Sequence, residues 1–413
     1  MGILRHVDAI LDDMTDDISM EKLRAWWAHR QGLDGSLAGA SPNEVLARTG
    51  WARSVGGSAP YLGLFARAGL DREAVDAAVA RLEVHELPAA RGCTYVLPAE
   101  DFALGLTVGA GAPEGEIAAA GRYLGVTRAE IDALCAAVID ALEAADRPLD
   151  PVGIKAATGD AVRNLGGEGR KRGVSTTLPL ALGLLQARGE IRRVPVGGRL
   201  DQQRYGYVRW SLWPPAAGQL DVEAARVELA RRYFSWAGPA SLKHFRWFSA
   251  LPAAAAKKAI TPLGLCLLDG TELLLAPEHV EEFGAFTMPH EPSYALVAAI
   301  DGIHLLHREL ARLLDPADAG RPVPGGKSGR TLGTAADPPC NIIIDHGRLV
   351  GLWEYDPEAG EIVYQAFGPS DAELRAAIAR TEAFVRDHLG DVRASSLDSP
   401  KSRAPRLAAL RAG

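Results

Sequence analysis

The apolar positions of this chain recur with two periods, one near 3.6 residues and one of 2, and the switches between them mark its elements. "SPNE" at 41–44 offers Ser41 as N-cap, Pro42 at the first helical position and Glu44 reaching back, a capping box. "TRAE" at 127–130 repeats it with Thr127 and Glu130 and opens the run "IDALCAAVIDALEAA". Asp150 and Pro151 open a further helix, "DPVGIKAATGDAV". "STTLPLALGLLQARG" reads as a second, stopped by Gly189. "EIRRVPV", Gly197-Gly198 and "RYGYVRWSLW" then read as a β-hairpin. Helix, helix, hairpin is the winged-helix pattern.

The pattern recurs. "DVEAARVELARRYFSWAG" is a helix ended by Gly238, followed by the short helices "PASLKHFRWFSA" and "PAAAAKKAI" and the hairpin "GLCLLDGTELLLAP". Asp269-Gly270 predicts a type I′ turn there. The N-terminal segment fits more loosely, with "PNEVLART", "APYLGLFARAG", "DREAVDAAVARL" and a hairpin in "VHELPAARGCTYVLP". After residue 280 the order changes. Residues 318–340 are rich in Gly, Pro and small side chains. "NIIIDHGRLVGLWEYDPEAGEIVYQAF" reads as a β-meander turning at His346-Gly347 and Ala359-Gly360, and "SDAELRAAIARTEAFVRDHLG" as an amphipathic helix. The expectation is an α+β chain: winged helix 1 over 20–100, connecting helices over 101–149, winged helix 2 over 150–215 and winged helix 3 over 221–278. A C-terminal α+β region over 279–390 follows, with a flexible loop at 318–340 and a disordered tail at 391–413.

Composition changes this picture little. The 413 residues, 47% apolar and 23% charged, suffice for two to four domains. Cys93, Cys135, Cys266 and Cys340 lie far apart with no Cys-x-x-Cys pair, which suggests neither a disulfide framework nor a zinc site. Nothing in the sequence supplies an activating base for Cys93. No apolar run is long enough to span a bilayer, and acids interrupt the N-terminus where a signal peptide needs an apolar core. A soluble, cytoplasmic protein is expected. The net charge of −7 argues against a chain basic overall.

Charge does change the picture locally. Residues 163–209 carry ten Arg and Lys against Glu168, Glu190 and Asp201, a balance of +7 in one predicted winged helix. Arg170, Lys171 and Arg172 precede its second helix, whose Ser175, Thr176 and Thr177 start suits a phosphate. Arg192, Arg193, Arg199 and Arg204 fall on the wing. "SLKHFRWFS" sets Lys243, His244 and Arg246 on one short helix as further phosphate contacts.

Four strings then resemble a known family: "LRAWWAHRQGLDGS…SPNEVLARTG", "ARGCTYVLPAEDF", "ARVELARRYFSWAGPASLKHFRWFSALPAAAAKKAI" and "LVAAIDGIHLLHRELARLLDPAD". They are similar to winged-helix DNA-binding proteins of the AlkZ/YcaQ type, DNA glycosylases among them, over about residues 22–390. The resemblance implies about three tandem winged helices in a C-shaped clamp around double-stranded DNA, working as a monomer with no metal or organic cofactor. It also implies a water-positioning Gln-x-Gln or Gln-x-Asp motif in the loop matching "GWARSVGG". This chain has no Gln there; Arg53 and Ser54, or Trp51 and Arg53, take the place. Where the family's hairpin implies Gly-Thr-x-His, this chain has Gly92, Cys93, Thr94 and Tyr95.

Arg53 and Ser54 are therefore the first candidates for catalysis. Arg53 alone cannot be a general base, because it stays protonated. Glu100 and Asp101 read as helix-start acids or as water-holding groups. Asp301, in the apolar "AAIDGIHLL", is either a structural hydrogen-bond hub or a site residue. His304 and His307 stand three apart on an expected helix with no evident third ligand for a metal. Arg53, Tyr61, Arg91 and Tyr95 are expected to converge near a DNA-facing surface. The function expected is base-excision repair of alkylated or crosslinked bases; the alternatives are a non-enzymatic DNA-binding protein, regulator or lesion recogniser, and a relic that binds a protein partner.

Overall fold

The computed structural model describes residues 18–210, 220–327, 329–394 and 398–413. The last strand residues of the predicted middle hairpin, 211–213, and the acids of the N-terminus lie outside the described residues. The chain divides into two compact units: Met1–Val84, Val96–Pro98 and Arg226–Gly413 form the first, His85–Tyr95 and Ala99–Ala225 the second.

After helix α1 (Met20–Arg30), one order of elements occurs three times: a helix, a short strand, two helices and a hairpin. The first set is α2 (Pro42–Thr49), β1 (Ala52–Arg53), α3 (Ala59–Ala68), α4 (Arg72–Ala80), β2 (Val84–Pro88) and β3 (Thr94–Pro98). Ser41 and Glu44 form the predicted capping box, and Asp71 caps α4. Helices α5 (Phe102–Gly109) and α6 (Gly111–Leu124) follow.

The second set starts at α7 (Arg128–Glu143), capped by Thr127 and Glu130 as predicted. Leu149 is its short strand, exchanging both backbone hydrogen bonds with Tyr207. Then come α8 (Pro151–Thr158), a short extra helix α9 (Gly166–Lys171), α10 (Leu178–Ala187), and the antiparallel pair β4 (Ile191–Pro195) and β5 (Tyr205–Arg209), in register Arg193↔Tyr207. The expected connecting region, 101–149, thus includes one helix that belongs to this core. Ile131, Leu134, Cys135, Val138 and Leu142 of α7 pack with Leu178, Ala181 and Leu185 of α10, so its apolar face has a local partner.

The third set is α11 (Val222–Ala237), Ala240 paired to Leu274, α12 (Leu242–Ser249), α13 (Ala253–Ile260), β6 (Cys266–Leu267) and β7 (Leu274–Leu275). Its hairpin is not the two-residue type expected. Leu268 N–H closes it on the Leu273 carbonyl at 2.9 Å, leaving four residues between them; Gly270 has positive φ (70°) and Asp269 does not. Burial of Leu268 and Leu273 overrides the local turn signal.

The remainder is a layered α/β region. After α14 (Val280–Ala285) comes β8 (Tyr294–Val297), then the one-turn helices α15 (Gly302–Leu305) and α16 (Leu310–Leu313). Strands β9 (Asn341–Asp345), β10 (Arg348–Asp356) and β11 (Glu361–Ala366) complete an antiparallel sheet in the order β11-β10-β9-β8. Its turn at His346-Gly347, with φ of 43° and 76°, is where the sequence predicts it. Helix α17 (Ala372–Phe384) follows, capped by Asp371. The sheet shares a core with α1, whose Trp26 and Trp27 indoles donate to the Gly238 and Pro239 carbonyls.

Two expectations change here. The described residues of 318–340 hold only short 3₁₀ turns, but they are tied to the core: Leu332 is fully buried, its N–H reaching the Arg321 carbonyl at 2.9 Å. The tail expected to be disordered contains α18 (Pro400–Ala412), started by Ser399 and Pro400. Its polar composition hides buried Arg403, Leu407 and Leu410, spaced for one helix face.

Candidate active site and basic surface

In the first unit, α2 ends at Gly50, whose φ of 101° turns the chain into β1. A Cβ there would stand 3.1 Å from the Trp236 indole, so the position needs glycine. The indole of the next residue, Trp51, packs at 5.5 Å from Trp236 and 6.2 Å from Phe248. This turn forms one wall of a small pocket lined by Gln31, Trp51, Arg53, Arg67 and Asp301, among others. It encloses about 30 Å³, room for a water or two.

The floor is a closed polar network. Arg67 donates to both carboxylate oxygens of Asp301, Nη1–Oδ2 at 2.9 Å and Nη2–Oδ1 at 2.7 Å, with side chains 5% and 6% exposed. Asp301 Oδ1 also accepts the Ile303 N–H at 3.0 Å, capping α15. Arg67 Nη2 donates to Gln31 Oε1 at 3.1 Å, and Gln31 Nε2 donates to the Thr49 and Trp236 carbonyls at 2.7 and 3.1 Å. A carboxylate has about four acceptor positions. Three are filled on Asp301, and the fourth lies on Oδ2.

Trp51, Arg53 and Asp301, singled out in the sequence, thus line one pocket. Ser54 is buried beside them in sequence, and Tyr61 is fully buried, donating its hydroxyl to Asp76. Gln31 and Arg67 were not singled out. The only signal for them was an apolar stretch carrying a lone acid that required a cationic partner.

The histidines part company. His304 Nε2 meets Asp337 at 3.3 Å; that bond and the Arg308 guanidinium hold the Asp337 carboxyl well below the usual range. His307 lies past the end of α15, donates to the Ala237 carbonyl at 2.9 Å, and is pushed down to about 3 by burial and by His244. Among the described residues no three His, Cys, Asp or Glu side chains are grouped to hold a metal. His244 is itself in the core, 3.1 Å from Glu309, while Lys243 and Arg246 are exposed. A phosphate cannot reach a side chain with no surface, so two of the three expected contacts on α12 remain available.

In the second unit, Arg170, Lys171 and Arg172 are exposed on and just beyond α9. Lys171 pairs with Glu168 at 2.6 Å and Arg172 lies 4.1 Å over the Tyr123 ring. Ser175 and Thr176 line a groove of about 490 Å³ beside α10, with Gln186, Arg193 and Glu116. Thr177 is fully buried, its hydroxyl accepting the Arg163 N–H at 3.1 Å. On the hairpin Arg204 is exposed and Arg192 half-buried; Arg193 pairs with Glu86 at 3.3 Å and Arg199 with Asp201 at 3.0 Å. Arg91 is exposed in the β2–β3 turn and Tyr95 is buried. His85 stands between Phe102 and Trp210, its pKa pushed down to about 3 by burial and then by Arg192 and Arg193.

The AlkZ-like DNA glycosylase family model matches residues 52–384, and the chain belongs to that family. Family membership supports a DNA-repair, glycosylase-like role and implies DNA binding. Among solved structures, the chain shares its fold with Streptomyces sahachiroi DNA glycosylase AlkZ: TM-score 0.67 and 20% identity, covering 89% of this chain and 97% of that one. Comparison with curated protein sequences gives no match. Among the described residues, no helix is long and apolar enough to cross a membrane.

Proposed function

We propose that the protein is a monofunctional DNA glycosylase, acting as a cytoplasmic monomer on duplex DNA to remove alkylated or crosslinked purines. The three repeated sets of elements are then three winged helices, the exposed cations of the second and third meeting phosphates. The observation that carries the proposal is the meeting of Trp51, Arg53 and Asp301 in one water-sized pocket, Arg53 and Asp301 lying within the family-matched residues 52–384.

An N7-alkylated purine already carries positive charge, so it departs neutral as the C1′–N9 bond breaks and needs no acid. A water must supply the new bond to C1′ and lose a proton. The free acceptor position on Asp301 Oδ2 holds that water and takes its proton, which passes on to solvent. Arg67 fixes the carboxylate and Arg53 attracts the adjoining phosphate. With Arg53 and Ser54 in the loop where the resemblance expects glutamine, Asp301 is the carboxylate the pocket offers.

The test is release of free base from duplex bearing N7-methylguanine or a nitrogen-mustard crosslink. Asp301→Asn is expected to lower kcat at least a hundredfold and Arg53→Ala to weaken lesion binding. Tight, salt-sensitive binding without release by the wild type would leave a DNA-binding protein that is not an enzyme.

A further inference from the structure

We infer that the C-terminal helix α18 positions the site loop Arg53–Ser58 through a two-stage clasp, and that Ser58, Asp391 and Arg403 are its positioning residues. This rests on the reading of that loop as part of the active site.

The loop runs from β1 to α3 through Gly56 and Gly57. Two consecutive glycines leave it many conformations to lose, so something must fix it. Ser58 is the residue before α3, yet its hydroxyl does not cap that helix. Instead it accepts the Arg393 N–H and donates to the Arg393 carbonyl, both at 3.1 Å, with Ser58 itself 2% exposed. A hydroxyl that takes both backbone groups of one distant residue pins that residue's segment to the loop.

The second stage holds that segment in place. Asp391, two residues before Arg393, receives Arg403 in bidentate fashion, at 2.6 and 2.9 Å. Arg403 is fully buried and also donates to the Tyr355 carbonyl of β10 at 3.1 Å. Ala394 N–H reaches Asp398 at 3.0 Å, and Asp398 meets Arg406 at 3.2 Å. Charge-assisted and bidentate bonds such as the Arg403–Asp391 pair are the strong ones. They make α18 the anchor and residues 391–394 the strap. The loop that carries Arg53 and leads to Ala59 and Pro60 of the pocket wall is what the strap holds.

Hydrogen–deuterium exchange of the full chain reads the clasp without reference to activity. Ser58→Ala and Arg403→Lys should each raise exchange of the amides between 54 and 62 roughly tenfold, while Ser58→Thr leaves it unchanged. Exchange in β9 and β10 should stay as in the wild type in both Ser58 variants. Base release by Ser58→Ala should fall in kcat with KM for lesion duplex unchanged. The inference is overturned if Ser58→Ala exchanges like the wild type, if Arg403→Lys frees residues 398–413 but not the loop, or if the loop loosens with base release intact. If the wild type releases no base, the glycosylase reading falls, and the exchange data alone decide whether α18 holds the loop.

Discussion

Two sets of arginines, one in each unit, carry positive charge in opposite ways. In the first, Arg67 is buried and spent on Asp301, Gln31 and Gly63. In the second, Arg170, Arg172 and Arg204 are exposed. A desolvated guanidinium costs free energy unless every bond is made, so its value is in fixing geometry. An exposed one gains little stability but remains available to an anion. The acidic net charge thus conceals two settings of arginine, one buried in a pocket and one left exposed to solvent.

The contrast is most exposed to failure at Arg67. Arg67→Met leaves Asp301 buried and unpaired, and should cost about 3–5 kcal/mol in urea unfolding. The double variant with Asp301→Asn should recover part of that loss. A cost below about 1 kcal/mol for Arg67→Met would mean that the pair builds nothing.

Titration comes next, because each unit also buries a histidine. His307 and His85 are held neutral to about pH 3, whereas the unfolded chain takes up protons near 6.5. Below pH 6.5 the unfolded state binds more protons, so stability is full above that value and falls as pH drops. The slope is about 1.4 kcal/mol per pH unit for each histidine. His85→Phe should flatten the fall in melting temperature between pH 6.5 and 5; an unchanged slope would mean that His85 titrates normally.

The exposed cations come third. Replacing Arg170, Arg172 and Arg204 together by alanine should leave unfolding free energy within about 0.5 kcal/mol per site. The slope of log affinity for duplex against log salt should fall by about one for each phosphate that is no longer neutralised. Reduced stability with unchanged salt dependence would reverse the assignment of the two regions. Smallest of all is Lys171→Ala, whose surface pair with Glu168 should be worth less than about 0.5 kcal/mol in the same unfolding assay.

What the sequence revealed was local. The capping boxes at Ser41 and Thr127, the β4–β5 hairpin and the β9–β11 meander each depend on residues a few positions apart. The turn at Asp269-Gly270 misled because burial of its flanking leucines decided the loop. Helix α18 was missed because its apolar face is narrow and its anchor is an arginine. The candidate site was half legible: the family resemblance pointed to the loop of Trp51 and Arg53, and Asp301 stood out as an acid in an apolar run. Arg67 meets Asp301 across 234 residues, and Ser58 meets Arg393 across 335, separations that leave no periodic trace.

That first separation also sets a schedule. As the chain leaves the ribosome from its N-terminus, Arg67 is made long before Asp301. At ordinary synthesis rates the wait is on the order of tens of seconds. Throughout it the guanidinium lacks its Asp301 partner. The nascent protein therefore carries an unfinished pocket until Asp301 has been made and can reach Arg67.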